Sequence, residues 1–354
     1  MSDDAKQQQP AQDEAPQQAE QQQQHQQQQQ GDDRVPRVVR EIVQLPPDPN
    51  DNDGDDDGDE NATPFDSFGD DEEDIDITHA RITDMAPLAR FHKLKTLCLR
   101  QNHITEISGL ENCTQLEELE LRDNLLEKIE NVNHLTELKA LDVSYNGIRK
   151  IKHISQLVKL EKLFLANNKI KAIEHLNHLA NLTMLELGAN RIREIEGLDA
   201  LVNLRQLFLG KNKITHISGL DNLMNLRVLS LQSNRIEKIE GLENLKHLEE
   251  LYLSHNGITV IEGLDHQLEL SVLDVSANRI EHLSGVSHLT ALDEFWCNTN
   301  KLSSWPELEQ LKPCAHITCV YFEGNPLSED TMYRKKLKLT LPSLKQIDAT
   351  LCGK

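Results

Sequence analysis

The sequence predicts an α/β solenoid: a horseshoe of 22-residue repeats with a parallel sheet on its concave side, 3₁₀ turns on its convex side and a disordered N-terminal arm. Three observations carry this. Asn102, Asn124, Asn146, Asn168, Asn190, Asn212, Asn234, Asn256, Asn278 and Asn300 recur every 22 residues without a slip, and Asn325 follows after 25. One apolar frame surrounds each, as in Leu160, Leu163, Leu165, Asn168, Ile170 and Ile173. A fixed period in this range marks units that cannot bury an apolar face alone and stack to share a core. The net charge of −22 is also split unevenly: residues 1–79 hold 23 Asp/Glu against 4 Lys/Arg, and the rest hold 36 against 33.

Residues 1–74 are assigned to the arm. Its start is dominated by Gln, as in Gln21 to Gln30, and cannot bury enough apolar surface to offset its ordering entropy. Val35 to Leu45 (VPRVVREIVQL) is its one apolar patch. Asp48 to Asp76 carries 15 carboxylates and no cation, the composition of a solvated, self-repelling segment.

Residues 75–325 form the solenoid, a degenerate first repeat and eleven more. In the first, Ile75, Ile77, Ile82, Met85 and Leu88 fill the frame while Ala80 stands where the Asn is due. The alternating Leu-x-Leu core of each unit is a short strand whose two Leu point inward. The Asn then lies where the chain leaves the strand, and its amide can satisfy backbone groups of its own and the neighbouring turn. Apolar residues at plus two, five, eight and eleven (Ile192, Ile195, Leu198, Leu201) suit 3₁₀ turns on the convex side. Gln267 is the polar exception at plus eleven, a local defect. Residues 326–354 form a C-terminal cap: Thr331 to Leu339 is helical in pattern, Leu341-Pro342 ends the helix, and Leu344, Ile347 and Asp348 resemble one more strand.

The frame carries little that could do chemistry. There is no phosphate-binding glycine loop and no nucleophile elbow. His134, His153, His175 and His178 fall between repeats and read as surface residues, so no metal, cofactor or catalytic residue is expected. The body is not basic, which disfavours nucleic acid; Arg334, Lys335, Lys336 and Lys338 form one cluster in the cap. No apolar run reaches the ~18 residues of a membrane span. Six Cys without a C-x-x-C pair, with Cys113 and Cys297 at core positions, suit a reducing compartment, and no signal peptide precedes the repeats.

What remains is the concave sheet, where the residue between the two Leu points outward. Down the array that position reads Cys98, Glu120, Asp142, Phe164, Glu186, Phe208, Ser230, Tyr252, Asp274, Trp296 and Tyr321. Tyr145 and Glu294 lie on the same face. Rings recurring at one register alternate with carboxylates, a pattern for anchoring a protein with a basic surface. Phe164 to Trp296 spans six strand steps, about 30 Å, the size of a protein domain rather than a metabolite.

With the unbroken frame, the acidic arm, this strip and the Asn325-Pro326-Leu327 cap, the chain resembles the leucine-rich-repeat regulatory subunits of protein phosphatase 1 over about residues 75–354. The Gln-rich start is no part of that resemblance. The resemblance implies a non-catalytic regulator that is monomeric by itself, works in nucleus and cytoplasm, and holds the phosphatase catalytic subunit on its concave face. It places the contacts on Asp142, Phe164, Glu186, Phe208, Asp274, Glu294, Trp296 and Tyr321; Tyr252 joins them by register. Val35 to Leu45 lacks the aromatic of the Val-x-Phe peptide that many phosphatase partners use, as the resemblance requires. A scaffold of another intracellular assembly, ciliary or spliceosomal, shares the 22-residue frame and stays open as the alternative.

Overall fold

The structure is a computed structural model that describes residues 63–352. Its strands form one 14-stranded sheet in strict chain order. They are β1 (Asp74–Asp76), β2 (Thr96–Cys98), β3 (Glu118–Glu120), β4 (Ala140–Asp142), β5 (Lys162–Phe164), β6 (Met184–Glu186), β7 (Gln206–Phe208), β8 (Val228–Ser230), β9 (Glu250–Tyr252), β10 (Val272–Asp274), β11 (Glu294–Trp296), β12 (Cys319–Tyr321), β13 (Gln346–Ile347) and β14 (Thr350–Leu351). β1 to β13 are parallel and in identical register, Leu163 opposite Leu185 and Leu185 opposite Leu207. β13 and β14 close the sheet as an antiparallel pair. An α-helix, α1 (Tyr333–Thr340), lies in the cap.

The frame residues make one continuous core, from Phe65 to Ile347. Leu160, Leu163, Leu165, Ile170, Leu176 and Leu179 are all fully buried. The convex side consists of successive i→i+3 turns, for example Leu201 N to Leu198 O (2.9 Å) and Leu204 N to Leu201 O (2.9 Å). This tight return keeps the repeat to 22 residues, because no helix intervenes.

Each interior Asn locks two repeats together. Asn190 Oδ1 accepts from Ile170 N (3.0 Å), and its Nδ2 donates to Leu165 O (2.9 Å), Leu187 O (3.0 Å) and Gly188 O (3.2 Å). The residue before it always takes a left-handed backbone, from Gln101 (φ 56°) through Ala189 (φ 52°) to Thr299 (φ 55°). That geometry turns its N–H onto the next repeat, as in Ala189 N to Gly210 O (2.8 Å). Seven residues after the Asn the chain is left-handed again. Gly219 (φ 67°) and Gly241 (φ 69°) fit there without strain, while Asn131, His153 and His175 accept it.

One expectation about the fold is corrected. The arm was expected to run to residue 74; residues 1–62 lie outside the described residues, but 63–74 are folded. Phe65 is 1% exposed and joins the core, capping the first repeat. The Arg90 guanidinium fastens this segment by donating to Phe65 O (2.7 Å), Phe68 O (3.0 Å) and Asp70 Oδ1 (3.1 Å). Two aromatic side chains outweigh the surrounding acidity, because a solenoid end exposes an apolar face that something must cover.

The histidines between repeats lie at the surface, as the spacing predicts, with His134, His153 and His175 exposed and His178 half-buried, and three of them also bond the preceding repeat. His134 Nε2 bonds Leu110 O (2.8 Å), His153 Nδ1 bonds Ile129 O (3.0 Å) and His178 Nε2 bonds Ile154 O (2.7 Å). A carbonyl only accepts, so each of these ring nitrogens carries the proton.

Gln267 is the local defect expected of it, fully buried and only half satisfied. Its Nε2 donates to Leu242 O (2.7 Å) and Leu245 O (3.3 Å), while Oε1 has no partner. Both carbonyls already accept backbone N–H groups, from Leu245 and Leu248. Gln267→Leu therefore removes an orphaned acceptor without creating another, and is expected to stabilise the fold by about 1 kcal/mol. Thermal unfolding checks it: the midpoint should rise by ~2–4 °C.

Candidate protein-binding face

The outward position of each strand sorts into two clusters separated by β8, where Ser230 is 1% exposed. The first runs over β4 to β7. Asp142, Phe164, Glu186 and Phe208 stand in register on adjacent strands, all half-buried. Two residues beyond each, the side chains are small: Ser144, Ala166, Gly188 and Gly210. The floor is therefore low beside Phe164, at Ala166 and Gly188, and leaves room there for side chains of a partner, whereas the Gln232 side chain covers Gly210 beside Phe208. Strand alternation alone places the rings; the floor was not singled out from the sequence, although its residues are legible there.

The carboxylates of this cluster are poorly solvated. Asp142 Oδ1 accepts from Ser144 N (2.8 Å), yet burial raises its pKa above the usual carboxylate range. Glu186 is pushed up to about 7, first by burial and then by the charge of Asp142, with Arg122 acting the other way. Arg122 was not anticipated as part of the face. It lies over the Tyr145 ring at 4.4 Å, a cation–π contact that holds the guanidinium beside the acids. Next to it, Arg100 Nε is 3.4 Å from Glu120.

The second cluster runs over β9 to β12. The Tyr252 and Trp296 ring centroids are 6.3 Å apart, and those of Trp296 and Tyr321 are 5.8 Å apart in an edge-on arrangement. Tyr252 donates to Glu250 (2.8 Å), and Gln346 Nε2 donates to the Tyr321 hydroxyl (2.7 Å). Glu294, half-buried, begins β11 two residues before Trp296.

Asp274 corrects the expectation that it is offered to a partner: it is 1% exposed. It sits on β10 in register with Tyr252 on β9 and Trp296 on β11. Those rings are closer together than two strand spacings, ~9.6 Å, so they close over it. Asp274 Oδ1 accepts from Ser276 N (2.9 Å), while Oδ2 has no partner; the Ser254 hydroxyl lies near it but outside hydrogen-bond geometry. Burial raises its pKa. Asp274 is thus a residue beneath the rings rather than a contact.

The Glu186 shift has a measurable consequence. Its folded pKa lies above its ordinary 4.5, so the folded state holds an extra proton between pH 4.5 and about 7. The favourable contribution is complete below 4.5 and is lost as pH rises through 7. Glu186→Gln removes this dependence. It is expected to match the wild type near pH 4.5 and exceed it at pH 8 by up to about 3 kcal/mol. Denaturant titration at both pH values checks it.

A family profile described as leucine-rich repeats in two copies matches residues 92–134, 136–178, 180–222 and 225–266. These four segments match leucine-rich repeats, and the strands on either side of them continue the same register. A 49-residue stretch is 51% identical to protein phosphatase 1 regulatory subunit 7 of Homo sapiens, covering 14% of this chain and 14% of that protein. A 60-residue stretch is 47% identical to protein phosphatase 1 regulatory subunit SDS22 of Schizosaccharomyces pombe, covering 16% and 18%. The matches thus span less than one-fifth of either relative's length. Among solved structures, an internalin of Listeria monocytogenes has a TM-score of 0.63 at 22% identity, covering 79% of this chain and 87% of that one. At that identity the likeness carries the fold alone.

Proposed function

We propose that this leucine-rich-repeat chain is a non-catalytic regulatory subunit that holds the protein phosphatase 1 catalytic subunit on its concave face, controlling its activity, maturation or location in nucleus and cytoplasm. The observation that carries this reading is the single-register strip of rings and carboxylates on one exposed sheet face. Local identity to proteins named as regulatory subunits of that phosphatase supports the choice of partner. Phe164, Phe208, Tyr252, Trp296 and Tyr321 act as anchors, and Asp142, Glu186 and Glu294 meet basic groups. A subunit of this kind needs no second copy of itself and no active site of its own.

Calorimetric titration with purified catalytic subunit tests it. Phe164→Ala, Phe208→Ala and Trp296→Ala should each cost about 2 kcal/mol, ~30-fold in Kd, if these rings are hot spots. Circular dichroism of Trp296→Ala must accompany that variant, because its ring also covers Asp274. Unchanged affinity in all three variants sinks this face as the interface. Recovery of tubulin or small nuclear ribonucleoproteins from cell extract, without the phosphatase, points instead to a scaffold.

A further inference from the structure

Over the repeats of β4 to β7 the two edges of the solenoid differ in how they handle charge; further along, the strand-end edge also pairs opposite signs, as Lys301 does with Glu281 (3.4 Å). Where the strands begin, cations pair with carboxylates one repeat away. Lys95 meets Glu73 (2.7 Å), Lys139 meets Glu117 (2.6 Å) and Lys159 meets Glu137 (2.6 Å), each pair 22 residues apart. Where the strands end, the same spacing stacks like charges. One residue after the Asn stand Lys169, Arg191 and Lys213; three after it stand Arg149, Lys171 and Arg193.

The backbone fixes this stacking. Lys169 N donates to Ile148 O, Arg191 N to Ile170 O and Lys213 N to Ile192 O, each at 2.8 Å. Consecutive cations of one column are therefore about one strand spacing apart, ~4.8 Å. Five of the six are exposed and Lys169 is half-buried. Among the described residues none of the six is in an ion pair. The same two columns in these four repeats contain no carboxylate. A solvated surface gains nothing from such segregation, since alternating signs serve solubility equally and relieve the repulsion, as the opposite edge does.

The cap's cations offer no comparable surface. Arg334 donates to Ile347 O (2.8 Å) and Thr350 O (3.2 Å), Lys336 pairs with Asp330, and Lys338 donates to Pro342 O (3.0 Å).

We infer that the ridge formed by Arg149, Lys169, Lys171, Arg191, Arg193 and Lys213 is a docking surface for the chain's own acidic segment, residues 48–60. That segment holds eight carboxylates and no Lys or Arg. Its ends lie three and fifteen residues before Thr63, where the described structure starts. Fifteen extended residues reach ~50 Å. The ridge lies three to six strand steps from β1, ~14–29 Å along the sheet, so the segment is long enough. Neither the phosphatase nor the concave face enters this inference.

Zero-length carbodiimide coupling in the full-length chain tests it, with peptide mapping of the monomer band at low protein concentration. Coupling of residues 48–60 to Lys169, Lys171 and Lys213 is expected to exceed coupling to Lys238 or Lys312 at least five-fold. The triple variant Arg149→Gln, Arg191→Gln, Arg193→Gln keeps those lysines as reporters and should lose most of the preference. So should the wild type in 0.5 M salt, because exposed charges are then screened. Coupling spread evenly over the lysines overturns the inference. So does coupling found only in a dimer band, which assigns the ridge to a second copy. Polyglutamate binding is a second readout: it should strengthen when the eight carboxylates are changed to Asn and Gln, and equal binding overturns the contact by showing the ridge already free.

Discussion

A chain ending at Asn325 is expected to unfold at least ~10 °C below the full-length protein, a loss of about 3 kcal/mol or more. The cap contributes Leu327, Tyr333, Leu337, Leu341, Leu344 and Ile347 to the core, each no more than 8% exposed. Without them Val320 and Phe322, both fully buried, face water. Phe322 meets Phe295 edge-on at 5.7 Å, so the damage passes directly into the preceding repeat. Asp348 is the polar part of the closure. Its Oδ1 accepts from Phe322 N (2.9 Å), Glu323 N (3.0 Å) and the Tyr333 hydroxyl (3.2 Å); Tyr333 is removed with it, and the two backbone N–H groups lose that partner together. Each repeat contacts only its neighbours, so loss of an end should loosen β12 and β11 before β6. Hydrogen exchange resolves this order. Equal melting of the two chains, or uniform loss of protection along the sheet, contradicts it.

The cap could be outlined from the sequence because it obeys ordinary local rules: a helical pattern over Thr331 to Leu339 and a proline at 342. The solenoid was legible for a different reason. Its contacts repeat every 22 residues, so one decoded unit decodes eleven. The N-terminal cap was hidden because Phe65 and Phe68 sit in acidic sequence with no periodicity to give them a face. Their burial depends on an open solenoid end, which is a property of the array and not of the segment. The left-handed residue before each Asn was equally hidden. Gln101, Asp123, Tyr145, Ala189, Lys211 and Thr299 share no propensity for that backbone. The Asn bonds on one side and the N–H bond to the next repeat on the other hold the turn whatever the side chain.

On the concave face, alternation fixes which residues share one side of the sheet, because period two leaves no choice. It could not report depth. Asp274 and Asp142 occupy the same register position, but only Asp274 has a large ring on each flank that leans inward. Arg122 was missed for a similar reason. It lies outside the central column, and its role depends on the ring of Tyr145, in the next repeat, turning beneath it.

Asn190→Ala is expected to destabilise the protein by about 3 kcal/mol, combining an orphaned buried donor with a small cavity. The donor is Ile170 N, which has no acceptor besides Asn190 Oδ1 among the described residues. The carbonyls are protected by a feature of the ladder that a single rung conceals. Leu165 O accepts from both Asn168 (3.1 Å) and Asn190 (2.9 Å), and Leu187 O from both Asn190 (3.0 Å) and Asn212 (2.9 Å). Removing one Asn leaves each carbonyl one amide donor. Removing two neighbours takes both from the carbonyl between them. The variant Asn168→Ala, Asn190→Ala should therefore cost more than the sum of its parts, by about 1 kcal/mol or more, because Leu165 O is stripped only then. Asn168→Ala combined with Asn256→Ala shares no carbonyl and should be additive within ~0.5 kcal/mol. Denaturant unfolding of the five variants decides the matter. Equal additivity in both pairs would mean that the rungs act independently, each stabilising its own turn. Excess cost in the adjacent pair alone means that the Asn ladder is one connected hydrogen-bond chain, transmitting register from each repeat to the next.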